Sequence, residues 1–179
     1  MTLALRQSVE TSVGEIAFDV FGDGPPVVLV HGTPSRAAVT PQTRKMQREI
    51  ERYDPLPDAE LEASIRQHLS SATSRPLDAQ TFDALFAQWE GAEGQALYLR
   101  NLACLHESDT QLFESLLPSI SVPVLVLWGE RDAWLPVATS ERIGSLIPNA
   151  RRVVIPRAGH FSMEDEPNAI AEELSAFVA

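Results

Sequence analysis

Two short stretches of the sequence carry residue types that can do acid–base chemistry together. "RAGHFSMEDEP", beginning at Arg157, supplies His160 and Asp165, and "GERDAWLP", beginning at Gly129, supplies Glu130 and Asp132. An imidazole that removes a proton from an attacking oxygen needs a carboxylate on its far nitrogen, which fixes the tautomer and stabilises the charged ring. Asp132, Glu130 and Asp165 are the candidates for that carboxylate, and Asp132 could instead cap the helix that follows its loop. A third stretch, "VVLVHGTPS" from Val27, turns sharply at His31-Gly32 and brings Ser35 just past the turn. His31 reads as a hydrogen-bonding residue of its own turn. His68 and His106 fall on helical segments with no second ligand at metal-binding spacing, so neither a zinc site nor any other cofactor is expected.

The elements around these loops follow from the apolar pattern. Val9, Thr11 and Val13, then Ile16, Phe18 and Val20, alternate about Gly14-Glu15 and predict an N-terminal antiparallel hairpin turning there. "VVLV" (27–30) and "PVLVLW" (123–128) are wholly apolar runs, as in strands covered on both faces of a parallel sheet. Between Thr40 and Leu117 the period becomes helical. Thr40 precedes Pro41 as a possible N-cap of a helix with Met46, Ile50 and Tyr53. Asp58 leads a face with Leu61, Ile65, His68 and Leu69, and Asp78 leads one with Phe82, Leu85, Phe86 and Trp89. Gly91 and Gly94 are read as a break before a helix with Tyr98, Leu102 and Leu105, and "TQLFESLLP" as a short helix ending at Pro118. The last third alternates again: strand, "GERDAWLP" loop, a helix with Ile143, Leu146 and Ile147, the strand "RRVVIP", the histidine loop, and a closing helix with Ile170, Leu174 and Phe177. Repeated strand, loop and helix predict a mainly parallel α/β sheet, with the polar loops at the carboxyl ends of its strands, where a site belongs.

Composition narrows the partners. The 179 residues carry 14 Lys plus Arg against 25 Asp plus Glu, a formal charge of -11, with no basic run suited to phosphates, so nucleic acid is not expected as a partner. "MTLALRQSVE" lacks the basic n-region and apolar core of a secretory signal, and no apolar run approaches a membrane span, which points to a soluble, cytoplasmic protein without a membrane partner. Cys104 is the single cysteine and is expected to be a small core residue on an apolar helix face.

"VVLVHGTPS", "VLVLWGERDAWLP" and "VVIPRAGHFSMEDEP", each after a strand and in this order, resemble the oxyanion, acid and histidine loops of the α/β-hydrolase fold family, in particular its cap-bearing esterases, peptidases and dehalogenases. The resemblance implies a reduced α/β-hydrolase-like sheet with a helical cap. Residues 1–39 would form the N-terminal strands and oxyanion turn, 40–117 the helical cap and 118–179 the C-terminal half of the core, as one structural unit. It assigns His160 as the base, Asp132 as the acid and Gly32-Thr33 as the turn whose backbone N–H helps hold the oxyanion. Trp134, Phe82, Phe86, Trp89 and Phe161 would line or support an apolar pocket for a small-molecule ester, amide or halide, although core packing accounts for most of them equally well.

The family's nucleophile sits in a G-x-S-x-G elbow, a strained strand-to-helix turn with small residues on either side of the reactive serine. The glycines stand at 14, 22, 24, 32, 91, 94, 129, 144 and 159, and no two are four apart. The change from "HGTPS" to "TRKMQRE" therefore reads as a junction from which one continuous block, with the elbow and the central strands, is missing. Ser35, just past the oxyanion turn, is the candidate replacement nucleophile, and Ser162 follows the histidine itself; neither sits on such an elbow. A truncated scaffold of this kind is expected to be an impaired or inactive hydrolase. The alternative is a non-catalytic binding or interaction protein, and exposed sheet edges could support self-association.

Overall fold

The computed structural model of the chain describes residues 5–11, 14–20, 27–28, 41–48, 50, 59–105 and 114–179. The chain divides into two compact units, Met1–His31 and Gly32–Ala179.

The first unit contains the expected hairpin, β1 (Leu5–Thr11) paired antiparallel with β2 (Gly14–Val20). Thr11 pairs with Gly14 and Glu10 with Glu15, so Gly14-Glu15 belongs to the second strand and not to the turn. The alternation could not decide this, because a glycine has no side chain to mark which face it belongs to. Val9, Phe18 and Val20 remain 49%, 41% and 43% exposed. Val27 and Val28 were expected to open a doubly covered strand; they carry no regular structure and are 53% and 82% exposed. An apolar run becomes an interior strand only when neighbouring edges take up its N–H and C=O groups, and among the described residues β3 and β4 pair only with each other. Leu29 and Val30 lie outside the described residues.

In the second unit the helices are α1 (Pro41–Arg48), α2 (Ala59–Ser70), α3 (Ala79–Phe86), continued by a 3-10 turn over Ala87–Trp89, and α4 (Gly91–Ala103). Helices of this length are marginal alone and are held by burying one face. Met46, Leu61, Ile65, Phe86, Trp89, Tyr98, Leu102 and Leu105 form that shared core, each large side chain contributing about 1.5–3 kcal/mol on burial. Asp78 caps α3 as expected, its carboxylate accepting from Thr81 N at 3.0 Å, which holds its pKa below the ordinary carboxylate value. Gly91 and Gly94 do not break the chain; they form the first turn of α4. A Cβ on Gly94 would lie 2.4 Å from the Trp89 carbonyl carbon, so the glycine permits the close return of α4 past Trp89. Cys104 is exposed, contrary to the expected core position. Tyr98 and Leu102 fix the buried side of α4, and Cys104 falls off that side at the C-cap.

Residues 114–116 are helical, and Pro118 lies inside a 3-10 turn, Leu117–Ser119, rather than at a helix end. The rest is a parallel βαβ unit and a closing helix: β3 (Val124–Gly129), α5 (Val137–Leu146), β4 (Ala150–Ile155), α6 (Ser162–Asp165) and α7 (Pro167–Val178). Val124 pairs with Ala150 and Gly129 with Ile155, so the two strands end together. Helix α5 packs on both strands and α7 on β3. The loops after β3 and β4 therefore emerge side by side, which is the arrangement the candidate site requires.

Candidate active site

Backbone contacts fasten the two loops before any side chain acts. Glu130 N donates to Ile155 O at 3.0 Å, prolonging the β3–β4 ladder, and Arg131 N donates to Ala158 O at 2.8 Å. A Cβ on Gly129 would stand 2.0 Å from Gly159 O, so only glycine lets the loops approach this closely. The histidine loop also rests on the turn after α2, with Phe161 N donating to Ala72 O at 2.8 Å.

Asp132 and His160 meet on this frame. His160 Nδ1 lies 2.9 Å from Asp132 Oδ2, and their side chains are 10% and 4% exposed. The other carboxylate oxygen, Oδ1, accepts from Trp134 N at 2.8 Å and Leu135 N at 2.9 Å. Asp132 thus braces its own loop and does not cap α5, which begins only at Val137. With Nδ1–H donated to the carboxylate, the lone pair of the neutral ring is on Nε2, and proton uptake there places the new charge beside Asp132. The alternative carboxylates point elsewhere. Glu130 Oε2 accepts from Arg157 N at 3.2 Å, and Asp165 Oδ2 accepts from Gly159 N and Ser74 N.

Aromatic rings wall this pair. The Trp134 indole lies 4.5 Å from the His160 ring, centroid to centroid, and Phe161 lies 5.9 Å from it. Trp134 Nε1–H donates to Ser71 Oγ at 2.8 Å, which anchors the acid loop to the end of α2. Phe86 and Trp89 are placed differently, in the helical core and 0% and 4% exposed. Phe86 stacks with Phe82 at 6.3 Å beneath the Arg66 guanidinium, and Trp89 packs on Tyr98 at 5.4 Å. Ser162 is buried at the start of α6. His31, Gly32, Thr33, Ser35 and His106 lie outside the described residues.

His68, which the sequence offers as no more than an unsupported metal ligand on a helix face, is set beside the pair. Its ring also meets the Trp134 indole, 4.3 Å away and edge-on, and its Nδ1 is 2.8 Å from Tyr98 Oη. Burial, and secondly the charge of His160, lower its pKa to about 4, so it is neutral at pH 7. Its place on the Leu61–Ile65 face of α2 was readable; its meeting with Trp134, 66 positions on, had no local signal.

The model of the alpha/beta hydrolase fold family matches residues 44–167 of the chain. The chain belongs to the α/β-hydrolase fold family. A pimeloyl-(acyl-carrier protein) methyl ester esterase of Vibrio atlanticus (strain LGP32) is 33% identical over 70 residues, 39% of this chain and 27% of that protein. Lipase 3 of Moraxella sp. (strain TA144) is 26% identical over 102 residues, 57% of this chain and 32% of the lipase. Among solved structures, an α/β hydrolase fold protein from Burkholderia ambifaria superposes with a TM-score of 0.71 at 26% identity, covering 76% of this chain and 51% of that one. A thermophilic esterase from Thermogutta terrifontis shares the fold at 20% identity, with a TM-score of 0.56 and coverage of 80% and 52%. The chain thus spans about a third or less of these curated relatives' length and about half of the structural ones. The reduced α/β sheet expected from the three motifs agrees with that membership. Among the described residues no helix is long and apolar enough to cross a membrane.

Proposed function

We propose that this α/β hydrolase keeps the base and acid of an esterase-type mechanism, His160 and Asp132, and has low turnover because no G-x-S-x-G elbow aligns a nucleophile with them. The observation that carries the reading is the 2.9 Å contact between His160 Nδ1 and Asp132 Oδ2, with Asp132 held from behind by two backbone N–H groups. The substrate class is a small ester with an apolar acyl or alcohol part, in keeping with the Trp134 and Phe161 rings at the imidazole and with the esterase and lipase names of its relatives.

Water is the attacking group this arrangement serves best. Its oxygen bonds to the ester carbonyl carbon while its proton passes to His160 Nε2, and Asp132 stabilises the imidazolium. The tetrahedral oxyanion then collapses, the C–O bond to the alcohol breaks, and the imidazolium returns the proton to the leaving alkoxide. Acid and alcohol are the products, and the ring is again neutral. Gly32-Thr33 is the proposed source of an oxyanion N–H. A positioned base is worth about 10²–10⁴-fold, whereas the far larger contribution of a fixed nucleophile and a complete oxyanion hole is forgone. Ser35 stands in no G-x-S-x-G sequence, so it takes no part in this scheme.

Hydrolysis of p-nitrophenyl butyrate tests the reading. The chain is expected to exceed buffer by about 10²–10⁴-fold, without a burst of product, and His160→Ala is expected to abolish the excess. A one-equivalent burst, or a rate unchanged in His160→Ala, would overturn it. No turnover combined with saturable binding of the ester would favour the non-catalytic binding protein instead.

A further inference from the structure

The carboxylate of Asp165 is 1% exposed, and one of its two oxygens is committed to backbone. Its Oδ2 accepts from Gly159 N at 2.7 Å and from Ser74 N at 2.8 Å. Its Oδ1 has no hydrogen-bond partner among the described residues, and the nearest cation, Arg75, keeps Nε 3.9 Å away with its side chain 64% exposed. A buried oxygen left without a partner costs stability, so the placement is poorly explained as a stabilising ion pair. It is well explained by what Oδ2 joins. Gly159 directly precedes His160, and Ser74 belongs to the turn that follows α2.

The same two segments are fastened on both sides of that joint. Ser74 Oγ donates to Arg157 O, the Arg75 guanidinium donates to Asp165 O, and Phe161 N donates to Ala72 O at 2.8 Å. A Cβ on Gly159 would meet Ala72 O at 2.8 Å and Ser74 N at 2.9 Å, so the segments are in direct backbone contact. The one turn of α6 makes this possible. Glu164 N and Asp165 N both return to Phe161 O, at 2.9 and 3.3 Å, which swings the side chain five places after His160 back onto the peptide just before it. Two N–H groups converging on one carboxylate oxygen form charge-assisted bonds, stronger than a neutral acceptor would make.

We propose that Asp165 is a positioning residue that clasps the His160 loop to the turn after α2, so that the imidazole faces Asp132 only while the helical layer is docked. The proposal rests on reading His160 and Asp132 as a working pair. It makes the helical layer part of the machinery that orients the base, and it gives the alternative acid of the histidine loop a separate task.

The test uses the full chain, with Asp165→Ala and Asp165→Asn, and proton NMR at low temperature of the His160 Nδ1–H, which resonates far downfield when donated to a carboxylate. The resonance is expected in the wild type, retained in Asp165→Asn because the amide oxygen can still accept both N–H groups, and lost in Asp165→Ala. Its persistence in Asp165→Ala would overturn the proposal, as would its loss from Asp165→Asn in a spectrum that stays well dispersed. Amide exchange in the wild type decides the matter if Asp165→Ala fails to fold. Gly159 and Ser74 N–H are expected to be protected to within about threefold of each other, opening as one unit; exchange of Gly159 more than about a hundredfold faster than Ser74 would overturn the clasp. A downfield signal missing from the wild type would refute the His160–Asp132 pair itself, and the Gly159 and Ser74 rates would then judge the clasp alone.

Discussion

Acidification should destabilise the chain through a histidine that does no chemistry. His68 has a pKa of about 4 in the folded protein, against 6.5 when unperturbed, because burial and then the neighbouring His160 charge oppose its protonation. Between those values the unfolded chain binds a proton that the folded chain refuses. Stability from this source is therefore fully present above about pH 6.5 and is lost as pH falls towards 4. At 1.36 kcal/mol per unit the shift corresponds to about 3 kcal/mol, a ceiling because the ring is only partly buried. In His68→Gln the amide can still bond to Tyr98 but takes up no proton. Urea unfolding of both proteins at pH 7, 5.5 and 4.5 separates His68 from the carboxylates, which titrate alike in the two. The wild type should lose up to about 2.4 kcal/mol more than His68→Gln across that window. Parallel losses in the two proteins would refute the assignment of a proton-refusing site to His68.

Gly129→Ala sets a methyl group 2.0 Å from Gly159 O, between the two loops. A loss of about 3 kcal/mol is expected, the upper end for overpacking, because the obstacle is backbone; thermal unfolding reads it, and a melting temperature unchanged from wild type would contradict the close approach. Phe86→Ala empties the centre of the helical core, where Phe86 is 0% exposed, and should cost about 3–5 kcal/mol in urea unfolding. A cost below about 1 kcal/mol would place Phe86 at a pocket wall that can collapse or fill with water.

The loops were legible because chemistry and punctuation coincide there. "GERDAWLP" and "RAGHFSMEDEP" each follow an apolar run, and a parallel pair that ends in register delivers them to one place, so His160 and Asp132 could be matched before their distance was known. Trp134 and Phe161 followed from the same loops. What escaped depended on partners distant in sequence or on side chains that leave no pattern. The hairpin turn was misplaced because Gly14 fits either side of a parity change. Val27 and Val28 show that an apolar run specifies an affinity for neighbours, not a strand; among the described residues β3 and β4 pair only with each other. Cys104 was judged by apolar company in the sequence, while the helix turned Tyr98 and Leu102 inward and left it at the exposed end. For Phe86 and Trp89 the sequence left pocket and core packing open, and the structure puts both in the helical core, where Gly94 lets α4 pack back past Trp89. His68 and Asp165 owe their settings to contacts 66 and 91 residues away, with Trp134 and Ser74 respectively.

On the proposed reading, His160 and Asp132 are assembled as base and acid while no serine is held in the geometry that makes it a nucleophile. Incubation with a fluorophosphonate probe, followed by intact mass and peptide mapping, tests it most directly. Less than about one part in ten of the chain should be modified under conditions that label a serine hydrolase completely, since activation needs both the base and an aligned hydroxyl. Rapid, stoichiometric modification of Ser35 or of any other serine, abolished by His160→Ala, would contradict the claim.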